Sequence, residues 1–150
     1  MSDISSMIDE LEQNGRLIYS NHGTSMMPLI KQGRDLVVIE KAKGRLRKYD
    51  VPLYKVGTSH RYVLHRIIKV RDNDYVIRGD NCLNREYGIT DDDILGVLVA
   101  VIRNGREVPV ESTGFKIYSR IWHFIFPVRF LYMKARRTGG KILRKLGLRK

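Results

Sequence analysis

The chain has 150 residues, a length that suits one domain with a sizeable core. Its formal net charge is +12, from 28 Lys and Arg against 16 Asp and Glu, and its single cysteine excludes an intramolecular disulfide. The sequence contains neither a metal-ligand spacing nor a phosphate-binding Gly-rich loop, so it predicts no cofactor.

The first predicted element is a short capped helix over residues 5–12. Met7, Ile8 and Leu11 fall on one side of it, and Gly15 stops it. We expect this helix to cover the sheet as a lid. The N-terminus shows no signal-peptide pattern, and no apolar stretch is long enough to predict a spanning helix. These features predict a cytoplasmic or peripheral membrane protein.

Short segments rich in Val, Ile, Leu and Tyr predict strands between residues 16 and 110. The segments are 16–20, 35–40, 51–56, 61–70, 74–78 and 95–103. Asn104 and Gly105 then predict a two-residue hairpin turn. The predicted fold class is therefore mainly β, with antiparallel sheets.

Positive charge is concentrated at the C-terminus. Residues 115–150 contain 11 Lys and Arg and no Asp or Glu. This asymmetry predicts a β domain over 1–114 and a basic amphipathic helical tail over 115–150. The charges within the apolar run favour a helix that lies in a membrane interface over one that spans a bilayer. The residues expected to contact the membrane are Lys116, Arg120, Trp122, Phe126 and Arg129.

Two further interpretations of the tail remain open. It can pack on its own domain with its bases in solvent, or it can bind nucleic acid. The tail contains more large aliphatic and aromatic side chains than a surface for stacking nucleic-acid bases requires, so no nucleic-acid partner is expected. Anionic lipid attracts each Lys or Arg near its surface by roughly 1 kcal/mol, which favours an anionic membrane as the partner.

Three motifs place a nucleophile, a base and a carboxylate in chain order. Ser25 lies in Gly-Thr-Ser-Met-Met-Pro, His65 in Tyr-Val-Leu-His-Arg, and Asp80 in Gly-Asp-Asn. A histidine with a pKa near about 6.5 can take the serine proton near neutrality, so the rate is expected to rise through an apparent pKa of about 6 to 7. A carboxylate on the other ring nitrogen would fix the tautomer.

Each motif also has a structural interpretation. The serine motif and Gly-Asp-Asn are typical of turns, and a histidine in an apolar run is often a hydrogen-bonded core residue. His22 is a rival base. Lys69 shares a strand face with His65 at a period-2 spacing, so a serine–lysine mechanism also stays open.

These motifs resemble the serine peptidase superfamily that contains type I signal peptidases and self-cleaving LexA-like repressors. The resemblance covers about residues 17–107 and includes Gly33-Arg34-Asp35 and a closing Ile-Leu-Gly-Val. The histidine at position 65 is similar to the base of endoplasmic-reticulum and archaeal signal peptidases. The resemblance implies coiled, partly barrel-like antiparallel sheets.

The same resemblance implies a serine endopeptidase that cleaves leader or signal peptides. It assigns Ser25 as nucleophile, His65 as base and Asp80 as the orienting carboxylate, with Glu86 as its alternative. Gly23 stands where signal peptidases often have a serine, so no hydroxyl is available there. Backbone N–H groups, that of Ser25 among them, would therefore stabilise the oxyanion. Met26 follows the nucleophile as a supporting residue.

The chain also departs from the family pattern. Arg85 and Glu86 stand where the histidine-type enzymes carry further aspartates, and the sequence predicts no N-terminal membrane anchor of the usual kind. One alternative is therefore a catalytically inactive binding module. A LexA-like self-cleaving regulator is a less favoured alternative, because too few residues precede Ser25 for a helix-turn-helix unit.

Overall fold

The structure is a computed structural model that describes residues 4–57 and 61–145. Its helices are α1 (Ile4–Asn14), α2 (Thr113–Phe124) and α3 (Phe126–Lys145). Its strands are β1 (Arg16–Ser20), β2 (Asp35–Glu40), β3 (Pro52–Lys55), β4 (Tyr62–Leu64), β5 (Arg66–Val70), β6 (Tyr75–Arg78), β7 (Glu86–Ile89), β8 (Ile94–Arg103) and β9 (Arg106–Pro109). The prediction of a mainly β fold is confirmed, as are the short N-terminal helix and the helical C-terminus.

The strands form two antiparallel sheets. The larger sheet has the order β1-β2-β8-β3-β4, with β9 paired to β8, and it curls into a half-barrel. The smaller sheet has the order β5-β6-β7. The strands β1 and β4 are therefore the two edges of the main path of the larger sheet, and their outer backbone groups have no strand partner among the described residues.

Two apolar clusters hold these layers together. The first packs one face of the larger sheet against α1 and α2, and it includes Leu11, Leu17 and Phe115. The second fills the space between the two sheets around Tyr54 and Ile77. Strands such as β3 and β6 are buried on both faces, which explains why short Val- and Ile-rich segments were sufficient to locate most of the strands.

The structure divides the predicted strand over 61–70 at His65. Residues before it pair with β3 in the larger sheet, and residues after it pair with β6 in the smaller sheet. The chain therefore crosses from one sheet to the other at His65. The strand β7 was not predicted, because it is short and contains Gly88 with a φ of +72°.

The C-terminal helices begin on the body of the protein. Phe115 and Ser119 of α2 are buried, so the predicted division at residue 114 falls inside a helix that packs on the domain. Ile125 and Pro127 mark the junction between α2 and α3. Within residues 4–57 and 61–145, no helix is both long and apolar enough to cross a bilayer.

Candidate active site

A groove of about 890 Å³ opens between the two edge strands of the larger sheet. Residues of β1 and β4 line its sides, and Met7, Ile8 and Leu11 of α1 close one end. Ser25 and His65 both line this groove. The structure therefore brings the predicted nucleophile, in the loop after β1, and the predicted base, between β4 and β5, into one cavity.

His65 is held by a carboxylate on its Nδ1 side. The Nδ1 atom lies 2.8 Å from Oε1 of Glu86, and the Tyr54 hydroxyl donates to Oε2 of Glu86 at 2.8 Å. The His65 residue is only 7% exposed, and Tyr54 is fully buried. The ring is therefore oriented by Glu86, and Glu86 is oriented by Tyr54, in the manner of a catalytic triad.

Asp80, the carboxylate predicted to orient His65, bonds to Arg66 instead. Both carboxylate oxygens of Asp80 accept from the guanidinium of Arg66 at 2.8 Å, and both residues are buried. His65 and Arg66 are consecutive in an extended segment, so their side chains point in opposite directions. Arg66 therefore binds Asp80 on one side of the strand, and His65 binds Glu86, the alternative carboxylate, on the other side.

Asp80 instead joins the loop after β6 to the C-terminal helices. Its backbone oxygen accepts from Nε1 of Trp122 at 3.0 Å and from Nη2 of Arg129 at 2.7 Å. The Nη1 atom of Arg66 donates to Oγ of Ser119 at 2.7 Å. This cluster fixes α2 and the start of α3 against the loop that neighbours Ser25.

The Ser25 loop is anchored to the Gly-Asp-Asn motif. The backbone N–H of Asn81 donates to the backbone carbonyl oxygen of Ser25 at 2.7 Å, and Asn81 Nδ2 donates to the backbone carbonyl oxygen of Thr24 at 3.2 Å. A Cβ atom at Gly79 would lie 2.8 Å from the backbone carbonyl oxygen of Ser25 and 2.9 Å from Nε2 of His65. Only glycine therefore lets this loop pass so close to both residues.

Met26, Gly23 and the backbone N–H of Ser25 were also predicted to support the site. Met26 is fully buried in the core and anchors the loop next to Ser25. Gly23 lines the groove, and its N–H donates to Oε1 of Gln32 at 3.0 Å. Among the described residues, the N–H of Ser25 has no partner within the chain, so it is available to a ligand in the groove.

The positions of the other candidate bases distinguish them from His65. His22 lines the groove but is exposed and has no carboxylate bonded to it in the described part of the chain. Lys69 is exposed on β5 and does not line the groove. His60 lies outside the described residues. His123 makes an edge contact with Tyr49, with ring centroids 5.6 Å apart. The buried, oriented imidazole is that of His65.

Cys82, the single cysteine of the chain, also lines the groove. Its Sγ and Nε2 of His65 both lie within 3 Å of the position that a Cβ atom would take at Gly79, so the thiol is close to the ring nitrogen that does not face Glu86. Within the described contacts, Ser25 makes no hydrogen bond to His65. Ser25 and Cys82 both line the groove that contains the His65 ring.

These neighbours change the pKa of His65. Burial lowers it, but hydrogen bonds and charge from Cys82 and Glu86 outweigh burial and raise the pKa of His65 to about 9. The same bond to His65 holds the pKa of Glu86 below its usual value. With its pKa raised to about 9, His65 is mostly protonated at pH 7.

This shift predicts an alkaline activity limb. A general base must be neutral, so kcat/KM is expected to rise with pH through an apparent pKa near 9, above the range of about 6 to 7 that the sequence suggested. Because Cys82 and Glu86 raise the value, Cys82→Ala is expected to move the limb toward neutrality. The measurement is kcat/KM for one peptide from pH 5 to about 10. An unchanged midpoint in Cys82→Ala would contradict this assignment of cause.

Tyr54 and Cys82 are the two site residues that the sequence interpretation missed. Tyr54 pairs with Val63 in the β3–β4 ladder, so it shares a face with His65 two residues later. That relation can be found from sequence only once the pairing of the two strands is known. Cys82 follows Gly-Asp-Asn directly, and its closeness in sequence to a proposed catalytic motif was the available signal.

Comparison with protein-family models, with curated proteins and with solved structures finds no match for this chain. No group of three or more His, Cys, Asp or Glu in the described residues is arranged to hold a metal ion. The geometry of the groove is therefore the basis for assigning a function.

Proposed function

We propose that this protein is a serine endopeptidase in which Ser25 is the nucleophile, His65 the general base and acid, and Glu86 the orienting carboxylate. The observation that carries the proposal is the buried His65 imidazole, held at 2.8 Å by Glu86 in the groove that Ser25 also lines. A base needs such orientation to act on a weak nucleophile.

The proposed reaction divides peptide hydrolysis into two steps. Ser25 Oγ attacks the scissile carbonyl while its proton passes to Nε2 of His65, and the Ser25 N–H donates to the oxyanion. The imidazolium then gives that proton to the leaving amine as the C–N bond breaks. In the second step, water attacks the ester, His65 takes the water proton, and Ser25 regains its hydrogen.

The substrate that fits this groove is an extended peptide. The outer edges of β1 and β4 border the groove, and an extended peptide can pair with such edges through its backbone. Leu17, Leu53 and Leu64 line the interior, so the groove favours aliphatic side chains. Leader or signal segments of other proteins, which are extended and partly apolar, are the proposed substrate class.

A second candidate nucleophile is supported by its position. Cys82 lines the groove with its Sγ close to Nε2 of His65, and a thiol beside an imidazole is the arrangement expected of a cysteine peptidase, in which the base activates the thiol. The two mechanisms would share His65 and Glu86. They differ only in which side chain forms the acyl intermediate.

Cleavage of a peptide mixture tests the proposal. Purified wild type, Ser25→Ala and Cys82→Ala are incubated with a library of leader-type peptides, and fragments are identified by mass spectrometry. The serine mechanism predicts cleavage by wild type and Cys82→Ala and none by Ser25→Ala. Loss in Cys82→Ala with retention in Ser25→Ala would assign the reaction to the thiol.

The same assay also distinguishes an inactive binding module and a self-cleaving regulator from a peptidase. If no variant cleaves any peptide, yet wild type binds them, the chain is an inactive binding module. If wild type cuts only itself, at a rate independent of its concentration, the self-cleaving regulator is the better interpretation.

A further inference from the structure

The outward face of α2 and α3 carries a row of exposed apolar side chains. Phe124 is 84% exposed and Val128 is 71% exposed, although both are large apolar residues. We call this row the outward stripe. It consists of Ile117, Ile121, Phe124, Val128, Leu131 and Tyr132, each at least half exposed.

The outward stripe is continuous across the junction of the two helices. Its members are spaced three or four residues apart, which places them on one side of a helix. The junction preserves the helical bonds, since Ile125 N donates to Ile121 O at 2.9 Å and Arg129 N donates to Ile125 O at 3.1 Å. The two helices therefore present a single apolar surface.

The opposite face of the same helices packs on the body. Trp122 and Arg129 donate to Asp80, and the Arg78 guanidinium lies 3.2 Å from the centre of the Phe126 ring. Trp122, Phe126 and Arg129 were among the five residues expected to contact a membrane. The structure places these three on the body side, whereas Lys116 and Arg120 are exposed beside the outward stripe.

Positive charges border the outward stripe. Arg120 and Lys134 are exposed on one side of it, together with Lys116, whose ammonium pairs with Glu111, and Arg136 is exposed on the other side. No Asp or Glu follows Glu111 in the sequence. A second copy of this chain would bring like charges together, and a nucleic acid would leave the aliphatic side chains without a role. An anionic membrane matches both features.

We propose that the outward stripe inserts into the interface of an anionic membrane, with the bordering cations at the level of the lipid phosphates. The aromatic and aliphatic side chains would enter the region between headgroups and acyl chains. The inference concerns binding alone and does not depend on the peptidase proposal. Because α2 is fixed to Asp80, the bound protein would hold its groove in one orientation relative to the bilayer.

Vesicle flotation with the full chain tests this inference. Phosphatidylcholine vesicles with and without phosphatidylserine are mixed with wild type, with the double variant Phe124→Ser/Val128→Ser, and with the control Val108→Ser. Val108 is an exposed apolar residue of β9, outside the outward stripe. Wild type and the control are expected to bind only the vesicles with phosphatidylserine, and more weakly as salt rises. The double variant should bind at least about tenfold more weakly.

Further readouts separate this role from folding and catalysis. Both substituted positions are exposed, so the double variant should unfold at the wild-type temperature. Ser25→Ala should bind vesicles like wild type, whether or not the protein proves to be a peptidase. Equal vesicle binding by wild type and the double variant would overturn the inference. So would a wild-type dimer in sedimentation equilibrium that the double variant abolishes, or binding of wild type to DNA in preference to vesicles.

Discussion

Replacing Glu86 by Gln is expected to lower kcat by roughly 1,000- to 10,000-fold, because the amide can no longer stabilise the imidazolium of His65 or fix its tautomer. Ser25→Ala and His65→Ala are expected to lower kcat further, by roughly a millionfold, to the residual rate that substrate binding and the oxyanion N–H still support, and the double variant should be no worse than either. The measurement is the rate of cleavage of one peptide identified from the library.

The control for this prediction is Glu107→Gln. Glu107 is an exposed residue of β9 that pairs with Arg16 at 3.0 Å and does not line the groove. This variant should keep the wild-type rate. Tyr54→Phe removes one bond to Glu86 and should show a smaller loss than Glu86→Gln. A Glu86→Gln enzyme with nearly full activity would remove Glu86 from the mechanism.

Asp80→Ala is expected to destabilise the fold strongly. The substitution leaves the buried guanidinium of Arg66 without its carboxylate, and breaking a buried ion pair in this way costs roughly 3–5 kcal/mol. For a chain of this size, the unfolding temperature should then fall by roughly 10 °C. Thermal unfolding followed by circular dichroism measures this change.

The matched control is Asp92→Ala. Asp92 is exposed in the short turn before β8, so its loss should change stability by less than about 0.5 kcal/mol. At a temperature where Asp80→Ala is folded, it should retain much more activity than Glu86→Gln. A variant with wild-type stability and a loss of rate like that of Glu86→Gln would restore Asp80 as the orienting residue.

The contrast between these two acidic residues shows where sequence reasoning reached its limit. The strands β1 and β2 were predicted with the bounds that the structure shows, because alternation and turn residues are local signals. The choice between Asp80 and Glu86 depends on the change of sheet at His65. That change sends Arg66 to one side and the histidine to the other, and no local pattern contains it.

The tail shows the same limit. Composition was sufficient to predict an amphipathic, basic helix after residue 115. The orientation of the helix depends on contacts from Asp80 and Arg78, which lie far away in sequence. Because the helical pattern of α2 and α3 has aromatic residues on two sides, the sequence does not reveal which side packs on the rest of the domain. Exposure in the folded chain distinguishes the outward stripe from the side that packs.

The acyl intermediate offers the most direct test of the peptidase proposal. A peptide ester is mixed with the wild-type protein, the reaction is stopped with acid within the first turnover, and the trapped protein is digested with trypsin. Ser25 and Cys82 fall in different tryptic fragments, because Lys31 and Arg78 lie between them. We predict that the added mass equals the acyl part of the ester and lies on the fragment containing Ser25. An adduct on the fragment containing Cys82, or no adduct with an ester that the enzyme turns over, would contradict the serine mechanism.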